Sequence, residues 1–453
     1  MKKQINLQKD RFAVIGTGDT GISIINYLKY AKANLVKVFD TRDNPPHQKD
    51  LLNVISGKLD FNLFTDIDVI VISPGISIYD NAIQQAIHHG ILVIGDIELF
   101  ALAIKKWQAR VIGITGSNGK TTVTALTGYL AKRIGLKTMI AGNIGVPVLN
   151  SYIEAVKNKD IPEIIVLELS SFQLESTHSL DLDAATVLNI SEDHLDRYRD
   201  LLEYVYVKSN IFNNCKVQII NANDMFVGAM IRHNLVYRTF GINSNSDFSL
   251  INTNNQWNLQ VYQADFIEGV KLNLVGVHNY LNVLASLALL DAVSIDIKDK
   301  KLSTALYEFS GLEHRMQKVL THNGVIFIED SKGTNVGAVT AGVSGLDMPV
   351  HLILGGDGKG QDFSPLRDLI NKKCKSVAVI GQDKLQILEV LHGLEIPIAN
   401  CTTLEEAVSF CYKNAIAGDA VILSPACASW DMFDNYKHRA EVFVTSVKHL
   451  TSK

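Results

Sequence analysis

One unit recurs along most of this chain: a short run rich in Val and Ile, a stop at Gly, Asp or Ser, then a stretch of helical periodicity. Runs that are apolar on both faces belong to parallel strands covered by helices, which constrains the chain to an α/β architecture. The runs form three sets. The first is "RFAVIG", "LVKVFD", "DVIVIS" and "ILVIGD"; the second is "RVIGITG", "KTMIAG", "EIIVLE", "ATVLNI" and "VQIINA"; the third is "VIFIED", "VHLILGG", "SVAVIG" and "AVILSP". With 453 residues, 47% of them hydrophobic, each set can bury a core of its own. The joins fall near "ELFALAIKKWQAR" and "ALYEFSGLEHRMQ", giving domains over 1–100, 101–310 and 311–453. The polar stretch "NSNSDFSLINTNNQWN" reads as a surface excursion.

Several classes are set aside by what the chain lacks. A net charge of -4 provides no electrostatic footprint for nucleic acid or an anionic membrane. Cys215, Cys374, Cys401, Cys411 and Cys427 include no C-x-x-C pair and are odd in number, so neither a zinc site nor a disulfide framework is implied, and a reducing cytoplasm fits. The opening "MKKQINLQKDRFAVIG" is basic, but its apolar run is too short for a signal peptide. No apolar run reaches the roughly 18 residues of a membrane span.

In parallel sheets ligands gather at the carboxyl ends of the strands, so the loops there carry the chemistry. "VIGITGSNGKTT", residues 111–122, is a strand, a glycine loop and a helix start. Backbone N–H groups of Gly116, Ser117, Asn118 and Gly119 can curl around an anion, Lys120 can reach the outer phosphates, and Thr121 can bind magnesium, with Thr122 beside it. A strict G-x-x-x-x-G-K-[ST] would need glycine at 114, where Ile114 stands, and Gly113 is one residue early. A second loop, "GTGDTG", satisfies G-x-G-x-x-G with Gly16, Gly18 and Gly21, and Asp40 ends the next strand about twenty residues on. Two readings of it stay open: an NAD-dependent dehydrogenase, or a domain that holds a nucleotide diphosphate as a handle on the substrate. "SPGIS" is a further turn that can serve the same ligand.

The metal candidates come from several places. Glu168 ends the apolar strand in "EIIVLELSSFQLE", where a carboxylate facing the phosphate loop would hold magnesium. "NISEDHLDRY" puts Asp193, His194 and Asp196 after another strand. In "DLLEYVYVKSNIF", Lys208 falls on the apolar stripe of Leu201, Tyr204, Val205, Ile211 and Phe212. A lysine there either snorkels to water or is changed chemically, as by carbamylation, which would make it an oxygen-donor ligand.

"TGSNGKTT", "AGNIG", "LELSSFQLE", "NISEDHLDRY", "GVHNYLNVLAS", "SGLEHRMQ", "EDSKGTN", "LGGDGKGQDFSPL" and "SPACASWDMF" follow one another in an order and spacing that resemble the Mur ligase family across nearly the whole chain. The last four most resemble its D-glutamate-adding branch. The resemblance implies an N-terminal Rossmann-like domain for the UDP part, a central P-loop ATPase domain with a parallel sheet, and a C-terminal Rossmann-like domain for the incoming amino acid. It implies ATP and two magnesium ions as cofactors, UDP-N-acetylmuramoyl-L-alanine and D-glutamate as small-molecule substrates, and a monomer. By resemblance, Thr17, Thr41, Arg42, Ser73 and Gly75 hold the UDP moiety, and Asn143 and Gln173 contact the sugar-peptide part. Lys120 and Thr121 serve the triphosphate. Glu168, His194 and Lys208, the last as a carbamate, serve the metals. Asn279 and Asn282 match adenine-side contacts, Arg315 and Asp330 nucleotide contacts at the third domain, and Lys332, Thr334, Lys359, Ser429 and Tyr436 the phosphate and D-glutamate.

Three departures stand out: the spacing from His194 to Lys208 is one residue shorter than in the familiar form, Gly333 replaces alanine, and Tyr436 replaces phenylalanine. The implied chemistry is carboxylate activation by phosphoryl transfer, then attack by an amine, with domain closure to bring donor and acceptor together. A sister ligase for another amino acid, the folate-polyglutamate enzyme and a nucleotide-hydrolysing motor are the competing assignments; "SPACASWDMF" argues against the first two, and the paired phosphate loops with Glu168, His194 and Lys208 against the third.

Overall fold

The structure is a computed structural model that describes residues 5–46, 54–193, 197–242, 245–254, 256–268, 272–274, 276–346 and 348–451. His194 and Asp196 therefore lie outside the described residues. The first sheet holds β1 (Arg11–Ile15), β2 (Asn34–Asp40), β3 (Val54–Ser56), β4 (Val69–Ile72) and β5 (Leu92–Gly95) in the order β3-β2-β1-β4-β5. Every pairing is parallel. β4, with the sequence VIVI, is buried along its whole length because helices cover both faces of the sheet. Its core packs Ala13, Ile15, Phe39, Phe64, Ile70, Ile72 and Ile83.

The second set of runs gives β6 (Arg110–Thr115), β7 (Thr138–Gly142), β8 (Ile164–Glu168), β9 (Leu182–Val187), β10 (Cys215–Asn221) and β11 (Val236–Ile242). Their order is β11-β10-β9-β6-β8-β7, again all parallel. β6 is thus central, with the strand that carries Glu168 on one side and β9 on the other.

The polar stretch after β11 departs from expectation. It forms β12 (Phe248–Thr253) and β13 (Gln256–Val261), followed by β14 (Ala264–Glu268), and β13 pairs antiparallel with β14. The reason is an alternation hidden in polar composition: Phe248, Leu250, Leu259 and Val261 are buried while their neighbours carry the polar groups. Tyr262 and Gln263 make the hairpin turn, both at positive φ, as a two-residue connection requires.

The third sheet holds β15 (Gln317–His322), β16 (Val325–Glu329), β17 (Val350–Gly355), β18 (Cys374–Ile380), β19 (Ile398–Asn400) and β20 (Ala420–Leu423), in the order β15-β16-β20-β17-β18-β19. Only β15 runs antiparallel. Separate apolar cores cover its two faces, one around Leu352, Leu366 and Val379 and one around Phe327, Val408 and Phe443. By packing, the chain divides into two compact units, Met1–Asn189 with Tyr204–Phe248 and Ala285–Ala305, and Ile190–Glu203 with Ser249–Leu284 and Leu306–Lys453. No described helix is long and apolar enough to cross a membrane.

Candidate active site

The carboxyl ends of β1, β2, β4 and β7 surround a cavity of about 580 Å³. Thr41, Arg42, Ser73, Gly75, Asn143 and Gln173 all line it, so six of the residues expected to hold the UDP-linked substrate are brought together. Thr17 is different. It is fully buried behind the wall, and its N–H and Oγ1 donate to Asp40 Oδ2 at 2.8 and 2.7 Å. Asp40 also accepts from Arg42 N, Nε and Nη2 at 3.0, 2.8 and 2.7 Å. Burial pushes the Asp40 carboxyl up, but the Arg42 and Thr17 donors outweigh it and hold the group far below the usual carboxylate range. Both oxygens are thereby committed within the protein. A dinucleotide fold needs this acid for a ribose hydroxyl, so the dehydrogenase reading loses the residue it rests on. Arg42, about half exposed, instead faces the cavity as a fixed cation.

On the other glycine loop, β6 runs into Gly116–Gly119 and the helix Lys120–Arg133. Gly119 stands at φ +83°, where a side chain would be strained, and this lets the chain turn directly into the helix. Gly113 lies within β6, and a Cβ there would come within 2.7 Å of Leu182. It serves strand packing and not the phosphate loop, which explains its position one residue early. Asn189, unremarked at the sequence level, braces the loop: its backbone carbonyl accepts from Ser117 N at 2.9 Å, its Oδ1 from Asn118 N at 2.8 Å, and its Nδ2 donates to Asn118 O at 3.1 Å. Lys120 Nζ donates to Gly116 O and Ser117 O at 2.7 and 2.8 Å, holding its ammonium against the loop.

Glu168 ends β8 beside Ile114 of β6 and Gly142 of β7. It is 2% exposed; Oε1 accepts from Asn143 Nδ2 at 3.0 Å, and Oε2 has no hydrogen-bond partner among the described residues. A buried carboxylate oxygen without a donor is costly unless a cation meets it. Lys208 is 1% exposed, so it does not snorkel. Its Nζ donates to Gly116 O at 2.9 Å and Thr115 Oγ1 at 3.3 Å, and lies 4.6 Å from the centre of the Tyr204 ring. Its nitrogen is thus aimed at the phosphate loop. Among the described residues no group of three His, Cys, Asp or Glu side chains gathers as a metal site.

The second unit carries the remaining candidates. Asn279 and Asn282 share a helix face, with Asn282 Nδ2 donating to Asn279 Oδ1 at 3.3 Å. Asp330 accepts from Ser424 Oγ at 2.7 Å and Met316 N at 3.2 Å; burial pushes its carboxyl up to about 7, against the pull of Ser424 and the nearby Arg315 charge. A Cβ on Gly333 would stand 2.5 Å from Asp330 Oδ2, so the glycine at this departure from the family pattern makes room for the Asp330 carboxylate. Lys332 and Thr334 follow β16, Ser429 follows β20 and Lys359 follows β17, three adjacent strands. Lys332 Nζ sits 4.0 Å over the Tyr436 ring, and Lys359 Nζ pairs with Asp193 Oδ1 at 3.3 Å. Arg439, also passed over in the sequence, is fully buried and ties two of these loops: Nη2 donates to Ser331 O at 2.8 Å, and Nη1 to Cys427 O and Ala428 O at 3.1 and 3.3 Å.

Comparison with known proteins is consistent from end to end. Residues 10–95 match the Mur ligase MurD-like N-terminal domain, 114–290 the Mur ligase middle domain, and 314–427 the Mur ligase glutamate ligase domain. The chain is 43% identical over 465 residues to the UDP-N-acetylmuramoylalanine--D-glutamate ligase of Nitrosomonas eutropha, covering 99% of this chain and 98% of that one. It is 40% identical to the enzyme of the same name from Haemophilus influenzae, covering 98% and 99%. Among solved structures, the MurF ligase of Thermotoga maritima in complex with ADP superposes with a TM-score of 0.64 at 15% identity, covering 98% and 96%. MurC from Thermotoga maritima gives 0.59 at 16%, covering 98% and 100%. These structures share the fold. With identity of this level over nearly its whole length, the chain belongs to the Mur ligase family.

Proposed function

We propose that this protein adds D-glutamate to UDP-N-acetylmuramoyl-L-alanine at the expense of ATP, a step in building peptidoglycan precursors. One observation carries the reading beyond family membership. Asn143 lines the cavity under the first glycine loop and, through Nδ2, holds Glu168 beside the second. A single side chain therefore links the place for a nucleotide handle to the place for a transferable phosphate.

The reaction follows from elementary chemistry. A carboxylate is a poor acyl donor because its leaving group would be oxide. Transfer of the ATP γ-phosphoryl to the substrate carboxylate gives an acyl phosphate, whose carbonyl carbon the amine of D-glutamate attacks as phosphate departs. Two anions must meet in the first step. Lys120, fixed against the loop carbonyls, supplies positive charge there; Asn189, by accepting from Ser117 N and Asn118 N, sets the shape of the loop, and the positive end of the helix Lys120–Arg133 serves the phosphates. Magnesium, when bound, neutralises charge on the phosphates and the carboxylate. The unpartnered Oε2 of buried Glu168 fits such a cation, and Thr121, His194 and a carbamylated Lys208 complete the donors we assign to two ions. Arg42 and the turn at Ser73 and Gly75 hold the UDP part, Gln173 the sugar-peptide part. Asn279, Asn282, Arg315 and Asp330 serve ATP. Lys332, Thr334, Lys359, Ser429 and Tyr436 serve D-glutamate, where the cations and hydroxyls suit its two carboxylates. We assign the UDP, ATP and amino-acid roles to 1–100, 101–310 and 311–453, in a cytoplasmic monomer.

Phosphate release by the purified chain, supplied with UDP-N-acetylmuramoyl-L-alanine and ATP, tests the reading. D-glutamate is expected to stimulate it, and L-glutamate and L-alanine are not. Equal release with all three would refute the assignment.

A further inference from the structure

Gln173 lines the substrate cavity yet is only 3% exposed, so its amide is set by the protein around it. Ser170 caps the helix Ser171–Glu175, and its N–H and Oγ lie 3.2 and 3.3 Å from Gln173 Oε1. A backbone N–H can only donate, so the amide oxygen must face it. The amide nitrogen is then turned the other way, where Nε2 donates to Asp96 Oδ2 at 3.1 Å. An amide nitrogen has two hydrogens, and Asp96 takes one. We propose that Asp96 is a positioning residue for the cavity ligand: by accepting from Gln173 it locks the amide so that a single N–H donor is presented to an acceptor oxygen of the UDP-linked substrate. This rests on the reading that the substrate lies against Gln173.

Asp96 follows β5 directly and opens the helix Asp96–Ile104. It is 3% exposed, and Oδ1 has no hydrogen-bond partner among the described residues. Burial pushes the carboxyl up to about 6, against the pull of the Gln173 hydrogen bond and of the Ile97 and Asp96 backbone N–H groups at the helix start. Neighbouring contacts fasten the same segment to backbone groups of residues 176–179: Gly95 N donates to Ser176 O at 3.3 Å, and Glu98 Oε2 accepts from His178 N and Ser179 N at 2.6 and 2.8 Å. Asp96 differs in gripping a side chain on the cavity wall. A bland alternative is an acid that merely favours the positive end of its helix; in that case Gln173 is not involved, and the two residues would act independently.

A double-mutant cycle on the full chain separates these readings. Asp96→Leu and Gln173→Leu are each expected to raise KM for UDP-N-acetylmuramoyl-L-alanine about ten-fold, the size of one well-oriented hydrogen bond. KM for ATP and kcat are expected to stay within about two-fold, and the double variant to be no worse than either single one. Asp96→Asn, whose Oδ1 can still accept from Gln173, retains near-normal KM. The proposal is overturned if the two effects multiply in the double variant, if Asp96→Asn is as damaging as Asp96→Leu, or if only Gln173→Leu raises KM. An unchanged KM in Gln173→Leu overturns it differently, by removing the substrate from Gln173. Should circular dichroism show that Asp96→Leu does not fold, Asp96→Ala enters the same cycle in its place.

Discussion

Replacing Arg439 by methionine, which keeps the length of the side chain and removes its donors, would test how the amino-acid loops are held. The guanidinium bonds three carbonyls, Ser331 O on the loop with Lys332 and Thr334, and Cys427 O and Ala428 O on the loop with Ser429. Ser331 O and Cys427 O are left buried without a donor at roughly 2 kcal/mol each, about 4 kcal/mol for the two, while Ala428 O keeps the Asp357 N–H at 3.1 Å. Against this, burial pulls the Arg439 pKa down to about 10, a burden of roughly 3 kcal/mol that the methionine variant escapes. The expected net loss of stability is about 1 kcal/mol, measured by urea unfolding. The kinetic effect should be selective: KM for D-glutamate rises more than about ten-fold while KM for the UDP-linked substrate moves by less than about three-fold. Arg439→Lys should not rescue, because one ammonium lacks the planar fork that reaches both loops. A normal KM for D-glutamate in Arg439→Met, or an equal rise for all substrates, would refute the reasoning.

Two further outcomes follow from buried charges. Lys208→Ala is expected to lose most activity, and short carboxylic acids or bicarbonate to restore part of it, if the lysine carries a carbamate; full activity in the variant would reject that role. Asp330 titrates near 7 when folded against 3.8 in the unfolded chain. The folded state therefore binds this proton more tightly, so the contribution is fully present below about pH 4 and is lost as pH rises through 7. It amounts to about 4 kcal/mol at most. Asp330→Asn should therefore gain stability relative to the parent as pH rises from 4 to 8, read from paired urea midpoints, and an unchanged difference across that range would contradict the burial argument.

Much of this site is legible in the sequence. The α/β class, the two glycine loops and the strand-end position of Glu168 are local features, set by residues a few positions apart. For the same reason Thr41, Arg42, Ser73 and Gly75 could be named from turns that end strands, and they do line one cavity. What the sequence concealed is the choice of partners. Asp40 looked like the acid of a dinucleotide site, and Thr17 like a ligand contact, until packing closed them on each other and on Arg42. Lys208 on its apolar stripe could snorkel to water or be changed chemically, and only its burial against Thr115 Oγ1 and Gly116 O sets the first aside. β12 and β13 were hidden by polar composition because their alternation shows only when one face is covered.

Local chemistry determined which loops can bind phosphate, because glycine, lysine and hydroxyl groups act over a few residues. Tertiary structure decided which polar groups remain available to a ligand, because a hydrogen bond satisfied inside the protein is closed to substrate, and those bonds join residues as distant as Asp96 and Gln173 or Ser331 and Arg439.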